Sequence, residues 1–287
     1  IKIGSGSYKS GAGVALNSSV NAPISLDKNI NLQGFGGDVV VYNDTGSNVF
    51  EVPAPTAGAP KTISDISLDS LTIKGGIIGF YVSGSGTDDS NRLSIGNLSI
   101  TNTKFIGQGF GSTAASAITL ALNTHKTSNL EITGINNTNN GIVPTAKAIS
   151  LFGFEGKALI ENVTIDARSR DNAGVLAGSD TNTINKGIEI QGSGSTYINN
   201  TNSHSLSATL NAGFTTADSV IVKDVTMVGK FTTPIGIGMY GSIDGITLGT
   251  TDHEINLSGV ILNANTPYVT AEYIADSTID VSSWKVN

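Results

Sequence analysis

An alternating pattern, apolar-x-apolar-x-x-apolar-x-apolar, recurs along this chain and constrains its fold more than any other feature. The complete copies lie at 66–73, 93–100, 158–165, 220–227, 255–262 and 279–286, with a looser copy at 24–32 and a half copy at 130–132. Each copy contains two stretches with the period of a β-strand, separated by a short corner. Repetition of such a unit predicts a stack of coils.

The residue before the second strand of each copy is suited to a sharp corner. In successive copies it is Ser70, Asn97, Asn129, Asn162, Asp224, Gly259 and Ser283. Residues of these types tolerate left-handed backbone angles and form local hydrogen bonds. We therefore expect a structural corner ladder of Ser70, Asn97, Asn129, Asn162 and Asp224, in which side chains of consecutive coils stack on one another.

A third strand series follows most of these pairs. Its central residues are Val40, Tyr81, Thr119, Ser150, Glu189 and Gly238, each between two apolar neighbours that should point inward. The sequence thus predicts an all-β chain, a single-stranded parallel β-helix of about eight coils with three short strands per coil. We assign residues 1–287 to a single domain, because the repeat is continuous.

The Asn-rich corner between two short strands, repeated from about residue 24 to 286, resembles the pectin-lyase-like right-handed parallel β-helix superfamily. The resemblance implies a right-handed solenoid. Its members include pectate lyases, polygalacturonases, alginate epimerases, phage tailspikes and bacterial adhesins, and a shared fold does not select among these activities. In character the chain is most similar to the non-catalytic surface adhesins and fibres.

Several segments interrupt the repeat. Residues 1–23 form an N-terminal lead-in, and loop excursions are expected near 53–62, 166–186 and 191–219. The last two follow from spacing, because Val163 and Val225 are 62 residues apart with one third-strand copy between them. Insertions in a solenoid map to surface loops, where function often resides.

Composition narrows the possible partners and compartments. The formal net charge is −7, so there is no basic surface for nucleic acid, and no apolar run approaches the ~20 residues that span a bilayer. Three scattered histidines and no cysteine give no metal-ligand spacing, and no cofactor motif is present. A surface rich in Ser, Thr, Asn and Gly favours an extracellular or cell-surface protein.

Candidate catalytic residues are sparse. Enzymes of the superfamily bind sugar acids over the third strand series, where Glu189 is the one ionisable central residue, whereas glycoside hydrolysis needs two carboxylates. If the chain is an enzyme, Arg168 and Arg170 would grip an acidic sugar beside Glu189, and His253 would act as a base. Asp252-His253-Glu254 is similar to the DPHE motif of alginate epimerases but lacks its Pro. Solvated loops would explain the same Arg and His residues without any chemistry.

The sequence favours a non-catalytic surface or structural module, adhesin-like or fibre-forming, that presents loops to a partner. The alternatives are a polysaccharide lyase or epimerase acting on acidic sugars, and the body of a phage tailspike. Expected partners are a surface polysaccharide or a second copy of the chain, packed head-to-tail or laterally. Uncovered strand edges and an apolar layer at Trp284 and Val286 also predict that the native chain continues or that its ends meet another copy.

Overall fold

Strands of two to twenty residues are the regular elements of the described chain. The computed structural model describes residues 1–9, 23–44, 46–56, 59–83, 93–108, 116–120, 125–138, 147–166, 183–192, 219–238, 254–256, 261–264, 269–272, 279–280 and 285–286, and beyond Asp166 it describes the backbone alone except at Ile188. Among these residues there is no helix, and so none that is long and apolar enough to cross a membrane.

The described residues form twenty strands in chain order. They are β1 (Lys2–Lys9), β2 (Ile24–Ser25), β3 (Ile30–Asn43), β4 (Phe50–Val52), β5 (Lys61–Asp69), β6 (Thr72–Gly75), β7 (Ile78–Val82), β8 (Leu93–Thr101), β9 (Lys104–Ile106), β10 (Ser116–Leu120), β11 (His125–Thr133), β12 (Asn136–Thr138), β13 (Lys147–Asp166), β14 (Thr183–Gly192), β15 (Ser219–Gly238), β16 (Glu254–Asn256), β17 (Ile261–Ala264), β18 (Val269–Glu272), β19 (Ile279–Asp280) and β20 (Lys285–Val286).

All described strand pairings are parallel, and they sort the strands into three columns. The first column contains 30–32, 66–68, 98–100, 130–132, 158–160, 220–222, 255–256 and 279–280. The second contains 7–8, 40–41, 72–73, 104–105, 136–137, 164–165, 226–227, 261–262 and 285–286. The third contains 24–25, 50–52, 80–82, 118–120, 149–151, 188–190, 235–237 and 269–271. The fold is a parallel β-solenoid, as the repeat predicts.

The strict alternation of side chains is confirmed where side chains are described. Thr72, Ser99, Glu131 and Thr164 are at least partly exposed, while the residues on either side of each are no more than 2% exposed. A shift of one residue in any strand would reverse this arrangement. Thr226 belongs to the same prediction, but its side chain lies outside the described residues.

Inward side chains of successive coils form continuous aliphatic and aromatic layers. In the first column Ile66, Leu98 and Leu130 lie in register and are 1%, 1% and 2% exposed. The largest fully buried side chains are Phe50, Phe80 and Phe105. Burial of side chains of this size contributes about 1.5–3 kcal/mol each, so the layers hold the coils together.

The structure changes how the sequence repeats correspond to coils. The copy at 93–100 lies within the single strand β8, where Ile95 pairs with Ile63 and Leu98 pairs with Ile66. The true equivalents of 71–73 are 103–105 and 135–137. These segments carry Thr103 and Asn137 at inward positions, which breaks the apolar alternation and conceals the second column from the sequence pattern.

The expected excursions are only partly described. Residues 53–56 and 59–60 are irregular, and residues 61–62 already belong to β5. Part of the N-terminal lead-in forms β1, which pairs in parallel with β3. The other two excursions, at 166–186 and 191–219, fall mostly on 167–182 and 193–218, which lie outside the described residues.

Candidate functional site

A row of middle positions in the third column corresponds to the surface where a ligand was expected. Along the stack it comprises Ser25, Glu51, Tyr81, Thr119, Ser150, Glu189, Gly236 and Thr270. Two expected members are corrected: Val40 pairs with Thr72 in the second column, and Gly236 rather than Gly238 pairs with Glu189. Glu51 was missed, although its flanking residues repeat the apolar-x-apolar signal of the series.

This row is not an open groove along its whole length. Tyr81 and Thr119 are partly exposed, but Ser150 in the next coil is only 3% exposed. Ser150 therefore interrupts the row between Thr119 and Glu189.

The two carboxylates of the row are far apart. Four register steps separate Glu51 from Glu189, through Tyr81, Thr119 and Ser150. At about 4.8 Å per step the separation between these backbone positions is roughly 19 Å. Glycosidases hold their two carboxyl groups about 5–9.5 Å apart. The register therefore gives no support for a pairing of Glu51 with Glu189 on one glycosidic bond.

Glu51 and Tyr81 form the best-described polar cluster of the row. The amide Nδ2 of Asn48 donates to Glu51 Oε2 over 3.2 Å. Burial raises the pKa of the Tyr81 phenol above its ordinary value, a hydrogen bond with Ser83 opposes this, and the charge of Glu51 raises the pKa further. The phenol is therefore neutral at physiological pH and can exchange hydrogen bonds with a neutral polar partner.

The residues proposed for an enzyme lie mostly outside the described part of the chain. Arg168, Arg170 and His253 lie outside the described residues. Only the backbone of Glu189 is described, in β14 between Ser150 and Gly236. Within the described part of the chain, no three His, Cys, Asp or Glu side chains are grouped so that they could hold a metal ion.

The first corner, which precedes the first column, carries a ladder of amide and carboxylate side chains. Asn29 Oδ1 accepts from the backbone N–H of Ser64 over 2.8 Å. In the next coils Asn97 Nδ2 donates to Asp65 Oδ1 over 2.7 Å, and Asn129 Nδ2 donates to Asn97 Oδ1 over 2.9 Å. Asn97 and Asn129 thus bond to the equivalent side chain in the preceding coil, and Asn29 also accepts from the backbone N–H of its equivalent, Asp65, over 3.3 Å.

Loss of this ladder should weaken the solenoid in proportion to the bonds removed. Asn129→Leu removes one described bond and should lower the free energy of unfolding by about 0.5–1.5 kcal/mol, whereas Asn97→Leu removes two and should cost about twice as much. Urea unfolding of both variants measures the difference, with Ser128→Ala as an exposed neighbouring control. Equal stability of Asn97→Leu and the wild type would contradict the ladder.

The second corner, between the first and second columns, depends on backbone conformation. Ser70, Asn102 and Asn162 have φ angles of 57°, 47° and 53°, and the equivalent Gly134 has 64°. These left-handed angles suit Asn and Gly. The corners stack through backbone bonds, since Ser70 N–H donates to the Thr101 carbonyl over 3.1 Å and Asn102 N–H to the Thr133 carbonyl over 2.9 Å.

The expected single ladder is therefore divided between these two corners. Asn97 and Asn129 lie in register at the first corner, and the residue that follows them in register is Lys157 rather than Asn162. Ser70 and Asn162 belong to the second corner. Asp224 faces Asn162 there, because Glu161 pairs with Lys223 and Val163 with Val225. The two corners look alike in sequence because both precede an apolar-x-apolar stretch.

At the second corner, the Asp69 carboxylate links its own coil to the preceding and the following coil through hydrogen bonds. Its carboxylate accepts from Gln33 Nε2 over 3.0 Å, from Thr101 Oγ1 over 2.8 Å and from Asn102 Nδ2 over 3.0 Å. Partial burial raises the pKa of Asp69, but hydrogen bonds from Asn102, Gln33, Thr101 and Ser70 outweigh it, and the pKa lies below its usual value of 3.8. The charged form is therefore the one that the folded state stabilises.

Because the pKa of Asp69 is lowered on folding, its contribution is present above pH 3.8 and is lost as the pH falls below that value. Asp69→Asn should cost on the order of 1 kcal/mol at pH 7, since partial exposure screens the carboxylate. The difference from the wild type should shrink as the pH falls below about 3.8. Urea unfolding between pH 7 and 2.5 measures this, with Asp38→Asn as a control for the loss of one negative charge. If the difference in unfolding free energy between Asp69→Asn and the wild type stayed constant with pH, the charged Asp69 carboxylate would not stabilise the folded state.

Searches against protein-family models, curated proteins and solved structures gave no match to this chain.

Proposed function

We propose that this chain is a non-catalytic extracellular surface or structural module, an adhesin-like or fibre-forming rod. We further propose that the solenoid is a right-handed helix of about eight coils, similar to the non-catalytic members of the pectin-lyase-like superfamily. Its partners would be a surface polysaccharide or further copies of the chain. The observation that carries the proposal is the direction of the polar contacts, which run along the coil stack.

Several polar side chains of the described faces bond to their equivalents in neighbouring coils. Ser67 Oγ donates to Asn31 Oδ1 over 3.0 Å, and Ser99 Oγ donates to Glu131 Oε2 over 3.0 Å. Together with the first-corner ladder, these contacts use outward polar groups for hydrogen bonds that hold neighbouring coils together. A catalytic site requires the opposite arrangement, in which several ionisable groups converge on one point.

The spacing along the third column supports the same proposal. The backbone positions of Glu51 and Glu189 are four register steps, or roughly 19 Å, apart, whereas glycosidases hold their two carboxyl groups about 5–9.5 Å apart. Between them lie Tyr81, Thr119 and Ser150, which are neutral polar residues. Such a surface is better suited to hydrogen bonds with the hydroxyl groups of a neutral or weakly charged ligand than to catalysis.

Incubation of the full chain with alginate and with polygalacturonate tests the enzymatic alternative. Absorbance from unsaturated products and new reducing ends should stay at the level of the Glu189→Gln variant. Product formed by the wild type and lost in both Glu189→Gln and His253→Ala would replace the proposal by a lyase. Product formed equally by all three proteins would indicate a contaminating enzyme.

Association is tested separately by sedimentation velocity over a range of protein concentrations. A rod that assembles with copies of itself should show a mass that rises with concentration. If the chain is monomeric at every concentration, the proposal is reduced to a module that presents loops to a polysaccharide. Retention of the chain on immobilised polysaccharides tests that form of the proposal. A protein that is monomeric and is not retained on any of them would contradict the proposed role.

A further inference from the structure

One coil of the solenoid carries two polar side chains among the apolar residues of its interior. In the coil from β11 to β12, the inward positions include Thr127 and Asn137, and both side chains are 0% exposed. The equivalent inward residues of the preceding coil are Ile95 and Phe105. Two apolar side chains are therefore replaced by smaller polar ones within a single layer of the core.

Asn137 has no neighbour in its column that could satisfy its amide. Its register partners are Phe105 and Ile165, which are both 0% exposed and have no polar side-chain atom. Neither Nδ2 nor Oδ1 of Asn137 has a hydrogen-bond partner in the described structure. An amide offers two donors and an acceptor oxygen, so this is a large deficit for one buried group.

Two further polar atoms are in the same condition. Thr127 Oγ1 has no hydrogen-bond partner in the described part of the chain, and its register neighbour Ile95 cannot supply one. Gln108 is 1% exposed and lies three residues after Phe105, the register partner of Asn137. Its Nε2 donates to the Ile73 carbonyl over 3.0 Å, while its Oε1 is left without a partner among the described residues.

We propose that the interior of the coil that contains Thr127 and Asn137 binds at least one long-lived water molecule at these side chains. A water molecule can accept from Asn137 Nδ2 and donate to Asn137 Oδ1, and a water molecule beside Thr127 can donate to its Oγ1, which the apolar register neighbours cannot do. Buried polar groups in folded proteins are almost always paired with protein or with ordered water. Internal waters form about three hydrogen bonds each, and the Asn137 amide alone offers two donors and an acceptor oxygen.

Water-¹⁷O magnetic relaxation dispersion on the full chain counts internal waters with long residence times. Asn137→Leu should lose at least one such water relative to the wild type. Thr127→Val keeps nearly the same side-chain shape without the hydroxyl group, so it provides a second variant if Asn137→Leu does not fold. Ile165→Val is the matched control, because it alters the same column without touching a polar group, and its water count should equal that of the wild type.

Loss of a long-lived water in Asn137→Leu or in Thr127→Val, with none lost in Ile165→Val, supports the site. An unchanged count in both polar variants overturns it. In that case Asn137 is an unsatisfied amide, and Asn137→Leu should raise the thermal midpoint instead, because it removes a buried polar group that has no partner. A crystal structure provides an independent check through density within hydrogen-bond distance of Asn137 Nδ2 or Oδ1.

Discussion

Replacement of Phe105 by Ala is expected to lower the free energy of unfolding by about 3–5 kcal/mol. The Phe105 ring is 0% exposed and lies in the second column between Ile73 and Asn137. It also reaches across the interior to the third column, where it lies against Gly79. The coils above and below are fixed by parallel hydrogen bonds, so the cavity cannot close by collapse. Urea unfolding at pH 7 measures the loss.

Phe35→Ala is the matched control, because it removes the same side chain from the surface. Phe35 is 62% exposed, and its ring lies 5.3 Å from Lys2 Nζ. Loss of an exposed cation–π contact costs at most about 1 kcal/mol. If the two alanine variants lost similar amounts of stability, the columns would not form the core that the burial pattern indicates.

The sequence was sufficient to predict the layers of this core. An apolar-x-apolar stretch specifies which side chains point inward, because alternation is a local property with a period of two residues. Ile66, Leu98 and Ala158 were identified in this way, and all three are buried. Parallel stacking followed from the repetition of the stretch, and the pairings from β1 to β20 agree with it.

The register between coils was harder to predict, because hydrogen bonds between residues about 32 positions apart determine it. Asp65 and Asn97 are partners, as are Asn97 and Asn129, but the local sequence around Asn97 looks equally like the corner at Ser70. The strand equivalent to β6 would have resolved the ambiguity, but its inward Thr103 breaks the apolar alternation, so the sequence pattern did not reveal it. Inward polar residues are thus the places where pattern and structure diverge, and Asn137 is the strongest case.

The candidate site was predicted only in part for a related reason. Tyr81, Thr119 and Glu189 were assigned to the third strand series, and the structure places them in one column. Glu51 was missed because the looser first copy was read as two strands of a single coil, whereas its first strand pairs with β4 in the third column. The distance between Glu51 and Glu189 depends on the number of intervening coils, which only the register supplies.

Gly79 should be intolerant of any side chain, although its backbone conformation is ordinary. It is buried in β7, and a Cβ there would lie 2.5 Å from Phe105 Cδ1 and 2.8 Å from the Ala117 carbonyl oxygen. Contacts shorter than about 3 Å require the ring or the β7–β10 pairing to move. Overpacking of this kind costs about 1–3 kcal/mol, so Gly79→Ala should be strongly destabilising. Gly4→Ala is the control, since a Cβ at Gly4 meets nothing within 4 Å and should change stability by less than about 0.5 kcal/mol.

A double-mutant cycle separates the two contacts that Gly79 avoids. Phe105→Leu replaces the ring by a smaller side chain, so the cost of Gly79→Ala should fall by about 0.5–3 kcal/mol in that background. It should not vanish, because the Ala117 carbonyl oxygen remains 2.8 Å from the added Cβ. The same cost in both backgrounds would mean that the β7–β10 backbone alone excludes a side chain. A reduced cost would show that the glycine and the ring fit each other across the interior, which couples the second column to the third within one coil.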